Sequence, residues 1–287
     1  MLLLSLTLAS SSQIDEPDSP SAYSLPHTEV LHIKPSENRL IEQVLYVSLP
    51  RDYASEQKSY PVVFLLDPDY SFAIAHNVVQ HFVDRRNMPP VILVGIGYEG
   101  QSQDIPTYRQ HRTRDYTPTH TLVGGYGRNL QKFSGGGPAF RYFLATKVTP
   151  LIESRYRTNG ERALVGHSYG GLFTTYVLLT RPELFDRYLA ISPSYWYDER
   201  FIFELEEQSA RERTDLKARV GLFIGGRENP PHIRVPMVED LEALAGRLES
   251  RGYPSLVLET LVFPDETHNS VFPAALTRGL LWLFRPE

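Results

Sequence analysis

The sequence predicts an α/β protein: a doubly wound, mostly parallel sheet with antiparallel strands at its amino-terminal edge. Three observations predict it. Strand-like apolar runs alternate with helical patterns along most of the chain, which builds parallel sheets with helices on both faces. Pro61 to Leu66 and Val91 to Ile96 are apolar throughout, as strands buried on both faces must be. A third apolar run, Ala163 to Val165, passes through Gly166-His167-Ser168-Tyr169-Gly170-Gly171 into a helical stretch.

The elements follow in order. Met1 to Ala9 is apolar and precedes Ser10, Ser11 and Ser12, the pattern of a secretory signal's apolar core and cleavage zone, although no basic residue leads it. Export to an extracytoplasmic (periplasmic or secreted) space is therefore expected, with the cytoplasm as the alternative. Residues 10 to 27 are rich in Ser, Pro, Asp and Glu and should form a flexible leader, which leaves 28–287 as the folded domain. Val30 to Ile33 and Arg39 to Leu49 alternate like paired edge strands. After Pro61 to Leu66, Ser71 to Arg86 reads as helix, and Val91 to Ile96 as the next strand. Tyr98 to Pro138 has no clear periodicity and is expected to form loops over the site. The remaining strands are Ala163 to Val165, Arg187 to Ile191, Val220 to Ile224 and Leu256 to Phe263. Helices are expected at Ala139 to Arg155, Leu172 to Thr180, Arg200 to Arg213, Val235 to Arg251 and Val271 to Phe284.

Composition narrows the chemistry. A chain of 287 residues, 41% hydrophobic and 22% charged, can bury one large core. A net charge of -5 provides no basic stripe for a phosphate backbone, so no nucleic-acid partner is expected. With no cysteine, disulfides, thiolate catalysis and Cys-ligated zinc are excluded. No run approaches the roughly 20 apolar residues that span a bilayer, so no stable membrane insertion is expected. Nothing in the pattern specifies an oligomeric state.

The turn at Gly166 to Gly170 fits G-x-S-x-G, a nucleophile elbow of the α/β-hydrolase fold, which makes Ser168 the candidate nucleophile. Glycines are needed because the turn is too sharp for side chains beside the serine. A serine hydroxyl also requires a base to take its proton and an acid to orient the base, in the chain order Ser, Asp/Glu, His. His268 stands between the last strand and the last helix, and Glu228 follows the strand Val220 to Ile224, where catalytic groups gather in such sheets. Asp240, Asp265 and Glu266 are weaker candidates for the acid, and His167 is expected to pack beside the site. The oxyanion hole takes the amide of Tyr169 and one from the loop after Leu66. Pro68 has no N–H, so Asp69 or Tyr70 supplies it, with Asp69 favoured by position. This chemistry needs no cofactor and no metal.

The chain also resembles the putative-esterase family of α/β hydrolases, which includes trilactone siderophore esterases, S-formylglutathione hydrolases and feruloyl esterases. The resemblance covers roughly residues 28 to 285. It rests on Tyr60 to Asp67, Arg112 to Pro118, Gly135 to Phe143, Gly166 to Gly171, Arg181 to Phe185, Ser192 to Trp196 and His268. It is strongest for the siderophore esterase branch. The resemblance implies a serine carboxylester hydrolase acting on a small-molecule ester of siderophore or other polar type, with Arg114 as an anion or catechol contact and Trp196 with Tyr197 as a pocket wall. Plain alternatives are a local Arg114–Asp115 ion pair and a core-filling Trp196. The functional rivals are acyl transfer by the same residues and an inert binding protein on a hydrolase scaffold.

Overall fold

The computed structural model describes residues 22–35, 42–100 and 104–285. The apolar start and the leader as far as Ser21 lie outside the described residues. Eight strands form one sheet: β1 (Thr28–Ile33), β2 (Gln43–Ser48), β3 (Tyr60–Leu66), β4 (Ile92–Tyr98), β5 (Thr158–His167), β6 (Arg187–Ile191), β7 (Ala218–Gly225) and β8 (Leu256–Phe263). Their spatial order is β1-β2-β4-β3-β5-β6-β7-β8. The pairs β1–β2 and β2–β4 are antiparallel, and every pair from β4 to β8 is parallel. This is the α/β-hydrolase arrangement that the alternating pattern predicts.

The continuous apolar strands serve two cores. Along β3, Val62, Phe64 and Leu66 join one buried cluster while Val63 and Leu65 join the other, because successive side chains point to opposite faces. On the face of Val63 lie α1 (Pro68–Asp84) and, near the carboxyl end of the chain, the helix Val271–Leu283, through Phe72, Ala75, Phe272 and Leu276. The opposite face is covered by helices that start at Tyr169 and Met237, through Leu172, Phe173, Leu241 and Leu244. Among the described residues, no helix is long and apolar enough to cross a membrane.

One expectation is overturned. The segment after Tyr98 is not all loop: α2 (Ile105–Tyr116) occupies its first part, followed by the short α3 (Arg128–Gln131). Its start is marked by Asp104, whose carboxylate accepts the Thr107 amide at 3.1 Å, and by Pro106 in the first turn. It escapes detection by hydrophobic period because it buries Arg112, Thr113, Asp115 and Tyr116 instead of an apolar stripe. Beyond it, α4 (Gly137–Phe143) and α5 (Thr149–Arg155) are joined by a π-helical stretch, Leu144–Val148. The later helices are α6 (Tyr169–Thr180), α7 (Tyr197–Glu212), α8 (Met237–Ser250) and α9 (Val271–Leu283). In α7 the backbone is left-handed at Asp198, Glu199 and Arg200, so its regular part begins after Arg200, where the helical pattern of the sequence begins.

Candidate active site

The carboxyl ends of β3, β5, β6, β7 and β8 converge on Ser168. This residue joins β5 to α6 with φ 61 and ψ -119, a conformation that costs a non-glycine residue about 1–3 kcal/mol. The glycines around it are obligatory: a Cβ on Gly166 would stand 2.2 Å from the Gly170 carbonyl oxygen, and one on Gly171 2.9 Å from that of Ile191. Backbone bonds pin the turn, with the Ser168 amide donating to Ile191 O at 2.9 Å and its carbonyl accepting from Leu172 at 3.0 Å and Ser194 at 3.2 Å.

His268, in the loop after β8, brings Nε2 to 3.0 Å from Ser168 Oγ. Its Nδ1 lies 2.6 Å from Glu228 Oε2. Glu228 is fully buried in the loop after β7, and its Oε1 accepts the Ser192 hydroxyl at 2.5 Å and the Gly225 amide at 2.8 Å. A buried carboxylate is tolerable only when bonded in this way. A Cβ on Gly225 would meet Glu266 O at 2.5 Å, so glycine there lets the two loops press together. The other acids face elsewhere: Asp265 is exposed and pairs with Arg227 at 3.2 Å, and Asp240 with Arg200 at 2.7 Å.

His167 does more than fill space. Its Nε2 donates to the His268 carbonyl at 2.8 Å, and the two rings lie 4.7 Å apart. Because a carbonyl only accepts, Nδ1 of the neutral ring is the acceptor that faces Tyr70 Oη at 3.2 Å. Burial, reinforced by His268, holds the His167 imidazole well below the usual histidine range and so keeps it neutral.

The amides proposed for an oxyanion hole belong to helix first turns, where N–H groups lack intrahelical partners: Tyr169 opens α6, and Asp69 follows Pro68 at the start of α1. Asp67 caps α1 in left-handed geometry (φ 54), and its Oδ2 lies 3.4 Å from the position of a Cβ on Gly170, against the elbow. The carboxyl of Asp69 is pushed up to about 6, first by partial burial and then by Asp67.

Sequence reasoning missed the ion pair beneath this loop. Arg112 reaches Asp67 Oδ1 through Nε at 3.0 Å and Oδ2 through Nη2 at 2.9 Å, with both residues buried. Tyr108 donates to the same Oδ1 at 2.6 Å, and Tyr126 contacts Arg112 Nη1. The available signal was helical register: Tyr108, Arg112, Asp115 and Tyr116 fall on one face. Arg114, expected at the pocket mouth, lays Nε and Nη2 on Asp115 at 2.7 and 2.8 Å, the local pair that was its alternative. Trp196 is half-buried, its ring 6.1 Å from that of Tyr169 and its edge against Gly125. Tyr197 is buried, packs edge-on to Tyr169 at 5.6 Å and donates to Thr119 O at 2.8 Å. Tyr126 completes an aromatic wall, 5.5 Å from Tyr169. A cavity of about 610 Å³ lined by Arg86, Arg187, Arg219 and Phe284 contains none of these residues.

Known proteins share this framework. The chain is 31% identical to an IroE-like serine hydrolase from Shewanella oneidensis, covering 90% of this chain and 80% of that one with a TM-score of 0.79. It is 28% identical to the ferri-bacillibactin esterase BesA of Bacillus subtilis over 93% of each chain. Against a siderophore enterobactin esterase of Emericella nidulans the identity is 30%, over 79% of this chain and 82% of the relative. Residues 42–222 match the family described as Putative esterase, and with that match spanning the elbow and the strands that carry it, the chain belongs to the putative esterase family.

Proposed function

We propose that this protein is a serine esterase that hydrolyses polar, siderophore-type esters through an acyl-enzyme. The observation that carries the reading is the unbroken relay Glu228 Oε2, His268 Nδ1, His268 Nε2, Ser168 Oγ, with steps of 2.6 and 3.0 Å. Glu228 accepts a hydrogen bond from Nδ1–H, so the neutral imidazole presents Nε2 as a base to the serine hydroxyl. Ser168 Oγ attacks the ester carbonyl while His268 takes its proton, and the Tyr169 and Asp69 amides bind the developing oxyanion. His268 then protonates the leaving alcohol. A water, deprotonated by the same imidazole, attacks the acyl carbon, and as the bond to Ser168 Oγ breaks, His268 returns that proton to Oγ, releasing the acid and free Ser168.

The substrate class is read from the relatives named for siderophore esters and from the half-buried rings of Tyr126 and Trp196, which pack on the buried Tyr169 beside the nucleophile and supply aromatic surface for rigid acyl groups. An intact relay disfavours an inert scaffold, and no feature of the site favours an acyl acceptor over water.

The test is a competition of esters on the purified protein: a catecholate trilactone siderophore with and without iron, a feruloyl ester, S-formylglutathione, and short and long p-nitrophenyl esters. The trilactone is expected to give the highest kcat/KM, with stepwise release of linear trimer, dimer and monomer. A preference for long neutral acyl chains would overturn the substrate class and leave the serine chemistry standing.

A further inference from the structure

The turn that leaves β6, Ser192-Pro193-Ser194, touches both ends of the relay. Ser192 Oγ donates to Glu228 Oε1 at 2.5 Å. Two residues on, the Ser194 amide donates to the Ser168 carbonyl at 3.2 Å, and Ser194 Oγ stands 3.5 Å from Ser168 Oγ. Both serines are buried. The backbone at Ser192 is left-handed (φ 44), where a non-glycine residue persists only when its surroundings fix it. Its amide is held by Phe223 O at 2.7 Å.

We propose that Ser192 is a positioning residue of the hydrolytic reaction, acting through Glu228; the proposal rests on the esterase reading above. A carboxylate aims an imidazole only if its own plane is fixed. Glu228 Oε1 has two donors, the Ser192 hydroxyl and the Gly225 amide, and these set the rotation of the carboxylate so that Oε2 meets His268 Nδ1. The Gly225 amide ends β7 three residues before Glu228 and so holds the acid only to its own strand. Ser192 belongs to the neighbouring strand end, so its hydroxyl is the donor that ties the acid to the turn holding the nucleophile. With the hydroxyl gone, Oε1 keeps only the Gly225 amide, and the aim of Oε2 at His268 Nδ1 loosens.

The test is a double-mutant cycle in Ser192→Ala, Glu228→Gln and the pair, read as kcat and KM on a p-nitrophenyl ester together with thermal unfolding. Ser192→Gly runs in parallel: it removes the hydroxyl while relieving the positive φ, so it keeps the fold if Ser192→Ala does not. Both Ser192 variants are expected to lose on the order of 10-fold in kcat with KM within about 2-fold. In the Glu228→Gln background, Ser192→Ala is expected to cost less than about 2-fold more, because the residue it acts through is already disabled. Near-wild-type kcat in Ser192→Gly overturns the proposal, as does a cost that multiplies in full on Glu228→Gln. If Ser168→Ala retained activity, the esterase reading itself would fall, and that result is separate from either of these.

Discussion

Arg112 grips both carboxylate oxygens of Asp67, at 3.0 and 2.9 Å, and so ties α2 to the residue that opens α1 beside the nucleophile elbow. The pair is buried, and Arg112 Nη2 also lies 3.5 Å from the carbonyl of His167, one residue before Ser168. The loop after β3, proposed to supply the Asp69 oxyanion amide, and the elbow are thereby held by one guanidinium.

Arg112→Met is therefore expected to destabilise the protein by about 3–5 kcal/mol, because it strands a buried carboxylate. Adding Asp67→Asn should recover part of that loss by removing the uncompensated charge. Urea unfolding of wild type and the two variants checks the order: wild type, then the double variant, then Arg112→Met as least stable.

The orienting acid gives a ranking. Glu228→Gln is expected to lower kcat by about 10³-fold or more by analogy with other triads, whereas Asp265→Asn and Asp240→Asn should change it less than about 3-fold. Steady-state kinetics on a p-nitrophenyl ester decide it. A crippling Asp265→Asn would move the acid to the exposed partner of Arg227.

Two buried histidines lose their stabilising contribution on acidification. Burial lowers both His76, which bonds Ser48 Oγ at 2.8 Å, and His167. A histidine lowered in the folded state binds fewer protons there than in the unfolded chain, so its stabilising contribution is complete above the ordinary value of about 6.5 and is lost as pH falls below it. Asp69, whose carboxyl is raised to about 6, acts in the opposite sense over the same interval, so the readout is the difference between proteins: from pH 7 to pH 5, His76→Gln should lose less Tm than wild type. A His76→Gln slope equal to or steeper than that of wild type contradicts the assignment.

The elbow stores strain that activity requires. Ser168→Gly should abolish turnover while raising stability by about 1 kcal/mol, since glycine adopts φ 61 without cost. Thermal unfolding of Ser168→Gly beside Ser168→Ala checks this, with the glycine variant expected to be the more stable.

The legible parts of this molecule were those whose residues obey a simple period or a fixed motif. β6 falls where its apolar run places it, Arg187–Ile191, because a strand buried in a parallel sheet has no polar face to confuse the reading, while β8, Leu256–Phe263, is a half-buried edge strand whose leucines and valines still mark its bounds around Glu259 and Thr260. Chain order and strand ends sufficed to bring Ser168, Glu228 and His268 into candidacy, and these three stand in hydrogen-bonded sequence. Helix α2 was illegible because its inward face is Arg112, Asp115 and Tyr116, whose burial depends on partners far away in sequence, Asp67 and Tyr98. Arg114 looked equally available for a ligand until Asp115 was seen to hold it. Ser192 entered only within the stretch Ser192 to Trp196 that carries the resemblance, and its link to the acid was illegible because a hydroxyl's role depends on which carboxylate a neighbouring strand presents to it.

The most direct measurement is labelling with a fluorophosphonate followed by peptide mass mapping. One adduct per chain is expected, on the peptide that contains Ser168. The adduct should be absent in Ser168→Ala, and labelling should be slowed by about 10³-fold or more in His268→Ala. An unlabelled protein, an adduct on another residue, or His268→Ala reacting at the wild-type rate would contradict the Glu228–His268–Ser168 relay.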